Sequence, residues 1–372
     1  MELEEEVLEP VSPTGHYFTS SVLSVSNLAV ENNGKKRWKK VEVKVEDHVN
    51  IPIFPPSLSP EAYDKYLDDY ISKLAVERLS PEKPLWEFHI IKYPTSNAAG
   101  NVIIKLHHAL GDGFSLMSAL LSCLQRADDP RLPLTFPSRQ RSQPKTESFV
   151  TKTINDVLTG MIFLGTRLYM QQIDKSSSKA RGTAVVLLNT RMMGDYTSIQ
   201  EMIKPNSKMP WGNHFTFLHV PIPNLFLPED DHHHEYSNIA LEFVSKAQKI
   251  ISTKRNSLAI YLTSRFLEIL NRFGGHEAAA KYIRSTLQNS SMVISNMIGP
   301  VEQMALGNHP IKGLFFLVLG SPEGLDVTIV SYMGKVRVAF KMEKGLIDPQ
   351  KFKSCMENAF EMILKASDAK NN

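Results

Sequence analysis

Cysteine is nearly absent: Cys123 and Cys355 are the only two in 372 residues. Each sits inside an apolar helical pattern, so a disulfide framework is not expected and a reducing compartment is. Long apolar runs are missing as well. A membrane-spanning helix needs about 18 to 20 consecutive apolar residues. The nearest approach, "VLTGMIFLGT" at 157–166, stops between Asp156 and Arg167. That run reads first as a buried amphipathic helix and second as a membrane-surface contact. There is no glycine-rich phosphate loop and no Ser-His-Asp arrangement. Net charge is only +3, and no basic block interleaves with aromatics, so nucleic acid is not an expected partner. The opening "MELEEEVLEP" is acidic, and no secretory signal is expected there.

What remains is the composition of a globular protein, 42% hydrophobic and 22% charged, with length for two ordinary domains. "YFTSSVLSVSNLAV" reads as a strand, "NNGKKRW" as a turn and "WKKVEVKVEDHV" as a half-exposed strand. "SPEAYDKYLDDYISKLAVERL" reads as a helix capped by Ser59 with Pro60 in its first position. "LWEFHIIKY" and "NVIIKLHH" are strands, and a helix follows from Phe114 to Arg126. Residues 127–150, rich in Pro, Ser and charge, read as a linker, dividing the chain into 1–142 and 143–372. Beyond it come a long helix in "KTINDVLTGMIFLGTRLYMQQI", strands in "TAVVLLNTRM" and "NHFTFLHVPI", and helical periodicity from 234 to 270. "SMVISNMIGP" is a strand ending in a turn, and "LDVTIVSYMGKVRVAF" a hairpin about Met333-Gly334. A last amphipathic helix opens at Asp348-Pro349. Strands and helices mix in both halves, an α/β or α+β pattern with mixed sheets.

The stretch with chemistry in it is "IIKLHHALGDGFSLMSAL", residues 103–120. Two histidines close an apolar strand, and Asp112 and Gly113 open the helix behind them. Strand alternation puts His108 on the face of Val102, Ile104 and Leu106, and His107 on the opposite face with Lys105. A neutral imidazole at the rim of an apolar core can serve as a general base near neutral pH, because burial disfavours the imidazolium. Asp112 can cap helix amides or pair with a cation from elsewhere. Gly113 permits close backbone approach. A strand histidine can also be structural, and Asp-Gly is a common cap. The conjunction at one strand-to-helix junction is what favours chemistry. "DHHHEY", with His232, His233 and His234, has no spaced partner, and no metal site is expected there.

"HHALGDG" resembles the HHxxxDG motif of acyl-CoA-dependent acyltransferases and peptide-synthetase condensation domains. "PLWEFHIIKYP", "KTINDVLTG", "VVLLNTR", "PWGN" and "SNMIGPVEQMA" narrow the resemblance to plant wax ester synthase/diacylglycerol acyltransferases, over nearly the whole chain. The resemblance implies two chloramphenicol-acetyltransferase-like domains facing across a tunnel. It implies transfer of a fatty acyl group from acyl-CoA, a co-substrate with no further cofactor, to a long-chain alcohol or diacylglycerol. It makes His108 the base, with Asp112 holding the loop by pairing with an arginine and Gly113 giving access beside the histidine. Pro84, Leu85 and Trp86 resemble a motif near the active-site wall, and Asn155 and Asp156 one where the second domain meets the tunnel. Ser295 and Asn296 are candidates to face the oxyanion. The implied location is the cytosolic face of the endoplasmic reticulum membrane, and also the plasma membrane, without a spanning helix; the oligomeric state is open.

Relatives are usually longer. "SNLAV" runs directly into "ENNGKKRWKK", and "FPSRQRSQPKTES" directly into "FVTKTINDV", where the family carries further segments. Two alternatives therefore stand beside the enzyme: a lipid-binding relative with impaired catalysis, and a soluble acyltransferase with small alcohol acceptors. The second usually carries DFGWG near its C-terminus, which does not occur here.

Overall fold

A computed structural model of the chain describes residues 27–32, 35–136, 147–174, 177, 180–191, 199–225, 233–255 and 257–371. In the first half a hairpin of β1 (Asn27–Asn32) and β2 (Lys35–Lys40) precedes the short strand β3 (Val49–Asn50). The strand expected over 38–49 stops at Lys40 and gives way to a 3-10 turn at Val45–His48. The alternation breaks where His48 turns inward. Its ring is buried, stacks on Trp86 at 4.0 Å, and its Nδ1 bonds the Trp86 carbonyl at 2.8 Å.

Helix α1 (Pro60–Val76) starts as its sequence dictates: the Ser59 hydroxyl accepts from the Ala62 amide, and Pro60 lacks only an amide that would have no partner. It covers a three-stranded sheet in the order β3, β4 (Trp86–Ile91), β5 (Asn101–Leu106). Phe54, Tyr63 and Ile91 form the buried centre here. Helix α2 (Gly113–Ser122) follows β5, and a two-residue strand, β6 (Gln125–Arg126), ends this part.

The second half is larger. Helix α3 (Glu147–Ile173) leads into β7 (Thr183–Asn189), the single turn α4 (Ile199–Met202), β8 (Phe215–Pro221), α5 (His233–Arg255) and α6 (Leu258–Gln288). Then come β9 (Met292–Ile298), β10 (Met304–Leu306), β11 (His309–Pro310), β12 (Leu325–Tyr332), β13 (Lys335–Met342) and α7 (Pro349–Asn371). Five strands form a mixed sheet in the order β13, β12, β9, β7, β8, with β9 parallel to both neighbours. The β12–β13 hairpin turns at Met333 and Gly334, both at positive φ.

One face of this sheet packs against α3, α5 and α7. Its core includes Ile162, Phe163 and Leu164 of α3, Phe243 of α5, and Phe352 and Ala359 of α7. The run at 157–166 is therefore a buried helix segment, not a membrane contact. Among the described residues no helix is long and apolar enough to cross a membrane. The other face meets α6, through Val185, Phe217, Val293 and Leu267. Helix α6 is two limbs: Gly275, at φ 74°, reverses the chain, and Phe266 on the first limb meets Tyr282 on the second at 5.2 Å between ring centres. A side chain at Gly275 would strain that left-handed turn.

Strand β6 of the first half pairs with β10 of the second, Arg126 opposite Met304. The two units are thus joined by a small shared sheet and face each other across a cleft of about 5340 Å³. The division expected at 142/143 lies outside the described residues.

Candidate active site

Strand β5 delivers the histidines to the cleft. Pairing with β4 continues past Leu106, because the His107 amide donates to the Leu85 carbonyl at 3.1 Å. The strand then ends. His107 caps a 3-10 turn, its Nδ1 accepting from the Ala109 amide at 3.0 Å, and His108 is the first residue of that turn. The strand alternation therefore does not extend to His108. Its ring is exposed and borders the cleft, as Val102, Ile104 and Leu106 also do. It lies edge-on to Phe215 of β8, 5.8 Å between ring centres. Among the described residues neither ring nitrogen makes a hydrogen bond, so both are available to a substrate hydroxyl.

The backbone under that ring is held from the other half. Asn213 Nδ2 donates to the His108 carbonyl at 3.1 Å, and Trp211 Nε1 donates to the Leu110 carbonyl at 2.8 Å. Asp112 caps α2: Oδ1 accepts from the Ser115 amide at 3.0 Å, and Oδ2 accepts from the His214 amide at 2.8 Å. The same carboxylate is gripped by Arg191, at the end of β7, with Nη1 to Oδ2 at 2.7 Å and Nη2 to Oδ1 at 3.1 Å. Both side chains are almost wholly buried. The remaining Arg191 donors reach the Pro210 carbonyl, Asn189 Oδ1, Ser115 Oγ and the Gly212 carbonyl. This is a bidentate pair with every other donor satisfied, the arrangement a buried ion pair needs to offset desolvation. Burial pushes the Asp112 carboxyl up, but the Arg191 guanidinium and the Ser115 and His214 amides outweigh it and hold the group below the ordinary carboxylate range. Asp112 stays ionised, its oxygens taken by the fold.

Gly113 lies where the two halves touch. A Cβ there would fall 2.8 Å from Met297 Sδ on β9. A larger residue there would have to push the Met297 side chain aside, so close approach and not a turn favours glycine at this position. Ser295 and Asn296, on the same strand, both border the cleft. Alternation sends them to opposite faces: Ser295 shares the side of Val293 and Met297. Leu85 also borders the cleft, while Trp86 lies behind it, stacked on His48. The Pro84 carbonyl accepts from the Trp86 amide at 2.8 Å. Thus "PLW" supports the histidine turn from below. The side chains of Asn155 and Asp156, in α3, lie outside the described ones, as do those of His232, His233 and His234. Among the described residues no group of His, Cys, Asp and Glu could hold a metal ion.

Sequence reading left the arginine unnamed and missed Ser115, Trp211, Gly212, Asn213 and His214. The signals were present in "VVLLNTR" and "PWGN". Only folding brings Arg191 and Gly212 to a loop 79 and 100 or so positions earlier.

The geometry is that of a histidine presented between two α/β units. The wax ester synthase/diacylglycerol acyltransferase catalytic domain matches residues 28–198, and the WS/DGAT C-terminal domain residues 211–364. The chain is 28% identical over 425 residues to wax ester synthase/diacylglycerol acyltransferase 11 of Arabidopsis thaliana, covering 92% of this chain and 85% of the relative. Relative 2 of the same plant is 26% identical, covering 91% and 84%. The alignment of 425 positions exceeds the 372 residues of the chain, so the relative carries internal segments absent here. Among solved structures, the wax ester synthase/diacylglycerol acyltransferase from Marinobacter aquaeolei VT8 superposes with a TM-score of 0.61 at 16% identity, covering 92% of this chain and 86% of that one. The TRI3 trichothecene 15-O-acetyltransferase from Fusarium sporotrichioides gives 0.52 at 8% identity, covering 92% and 83%. The expected fold, paired acyltransferase-type α/β domains with mixed sheets, is the one observed. On the two domain matches, spanning most of its length, the chain belongs to the wax ester synthase/diacylglycerol acyltransferase family.

Proposed function

We propose that this acyltransferase moves a fatty acyl group from acyl-CoA to a long-chain alcohol, to diacylglycerol, or to both, with His108 as general base. The observation that carries the reading is the His108 ring, unbonded in the cleft while its own carbonyl is fixed by Asn213. A base must be positioned yet keep a free nitrogen. His108 takes the proton of the acceptor hydroxyl as its oxygen bonds to the thioester carbonyl carbon. The tetrahedral intermediate collapses, the carbon–sulfur bond breaks, and His108 returns the proton to the departing CoA thiolate. Acyl-CoA is a co-substrate, and no cofactor or metal is required. Ser295 or Asn296 supplies a donor to the oxyanion. Asp112 is a positioning residue, because its oxygens are committed to Arg191 and two amides.

The cleft supports two lipid substrates at once. Its volume is several times the roughly 300–1,000 Å³ of a single small-ligand pocket, and Leu106, Phe114, Met117, Val186, Leu188 and Phe217 are among its apolar walls. Such substrates reside in membranes, which supports the cytosolic face of the endoplasmic reticulum as the working site, with the plasma membrane as a second. The test is purified protein with radiolabelled acyl-CoA and either a long-chain alcohol or diacylglycerol. Labelled ester that disappears in His108→Ala supports the reading. The segments missing relative to the Arabidopsis protein favour a second reading, a lipid-binding relative with little turnover. Acyl-CoA binding without ester formation would select it.

A further inference from the structure

Exposed apolar surface gathers on the first limb of α6. Leu258, Leu262, Phe266, Ile269 and Phe273 are all exposed, from 44% for Phe266 to 80% for Phe273. At about 100° per residue the five fall within an arc of about 80°. Leu267, 7% exposed and packed on Val185, Phe217 and Val293, lies on the opposite side. The limb is therefore apolar on two faces, one facing the sheet and one facing outward. The outward stripe runs about 22 Å at 1.5 Å per residue. A shallow groove of about 460 Å³, walled by Leu262, Phe266, Ile269 and Tyr282, follows it. A contiguous stripe of this kind marks an interaction surface, whereas scattered surface leucines do not.

Two further observations say what covers it. The charged residues of the sequence from 254 to 273 are Lys254, Arg255, Arg265 and Arg272 against the single acid Glu268. Leucine and phenylalanine on one face of a segment with net positive charge is the composition of helices that lie in a lipid interface. The stripe also adjoins the cleft: Arg255, Ser257 and Arg265 border it, as do Gly274 and Gly275 at the reversal between limbs. We infer that the outer face of the first α6 limb docks on an anionic lipid surface and holds the cleft mouth against it. For its purpose, though not for its binding, this rests on the acyl-transfer reading.

The test measures binding apart from turnover. The full chain is sedimented with vesicles of phosphatidylcholine containing phosphatidylserine, and with vesicles of phosphatidylcholine alone. The wild type should bind the mixed vesicles, bind the neutral ones less, and lose part of the difference in high salt. The triple variant Leu262→Gln/Ile269→Gln/Phe273→Gln should lose at least about tenfold in partitioning. The apolar triple variant Leu262→Met/Ile269→Leu/Phe273→Leu should retain it, and both should melt as the wild type does, since the altered side chains are exposed. The glutamine variant should still acylate an alcohol dispersed in detergent, while His108→Ala should bind vesicles and fail to acylate. That pattern separates failure of the docking face from failure of the chemistry. Wild type that ignores vesicles, or a glutamine variant that binds them as well as wild type does, overturns the inference. So does a wild-type dimer that the glutamine variant converts to monomer without any vesicle binding, for then a second copy covers the stripe.

Discussion

The two halves of this molecule divide the work unevenly. The first carries the histidine motif on a three-stranded sheet whose buried centre is Phe54, Tyr63 and Ile91. The second carries a five-stranded sheet with a continuous core from α3 through α7. Yet the motif is held mainly from the second half, by Arg191, Trp211, Gly212, Asn213 and His214. The histidine loop is built in the smaller unit and fixed by the larger one. A loop anchored across an interface keeps its geometry only while both units are docked.

Removing the clasp should produce the largest effect. Arg191→Ala leaves the buried Asp112 carboxylate without its cation, at a cost of about 3–5 kcal/mol. The urea midpoint should fall accordingly, and activity with it. Arg191→Lys keeps the charge but not the fork and should fall between. If Arg191→Ala melts like wild type but is inactive, the arginine takes part in the chemistry and the division of labour drawn above is wrong.

His108→Ala should do the reverse. It should cost at least about a hundredfold in kcat/KM for a long-chain alcohol, the low end of general-base contributions. The ring is exposed and meets Phe215 only edge-on, so the urea midpoint should shift little. His107→Ala removes the acceptor for the Ala109 amide and should cost about 1 kcal/mol of stability, with a smaller loss of activity. Equal, mild losses from both would end the assignment of His108 as base.

The sequence carried the order of most elements, from the Ser59 cap to the Met333-Gly334 hairpin, because those signals are local. The exposure of His108 was missed for the same reason. Period-two reasoning holds only while the strand lasts, and here it ends at Leu106. The stretch at 38–49 failed likewise, where stacking of His48 on Trp86 overrode alternation. Arg191 and "PWGN" were visible as strings, but nothing local says which loop they clasp. The outward stripe of α6 was invisible because both its faces are apolar, and periodicity cannot tell which one the sheet covers.

A smaller test concerns a single strut. Trp211→Phe keeps the ring and deletes the 2.8 Å bond from Nε1 to the Leu110 carbonyl. The expected loss is about 0.5–1.5 kcal/mol. Activity should drop more than that loss of stability implies, since the strut bears on the turn that carries His108. An activity loss in step with stability would show the turn to be held well enough by Asn213 alone.

The last effect is read from its change with pH, and it distinguishes the halves by sign. Asp112 has a depressed pKa in the folded chain, so its contribution to stability is complete above the unfolded value and disappears as pH falls through the folded one. The difference in urea midpoint between wild type and Asp112→Asn should therefore be constant from neutrality down to about pH 4 and shrink below it. In the second half Glu323 behaves oppositely. Burial, and the neighbouring Asp326 carboxyl at the head of β12, push it up to about 7. The folded chain then binds the proton more tightly than the unfolded one, and the stability this confers is lost as pH rises from the ordinary carboxylate range toward 7. Glu323→Gln, which mimics the neutral acid, should gain on wild type as pH rises through that window. Measuring both variants against wild type from pH 3 to 8 cancels the remaining carboxylates. If the Asp112→Asn difference does not shrink below about pH 4, the clasp across the interface is not the site that fails in acid.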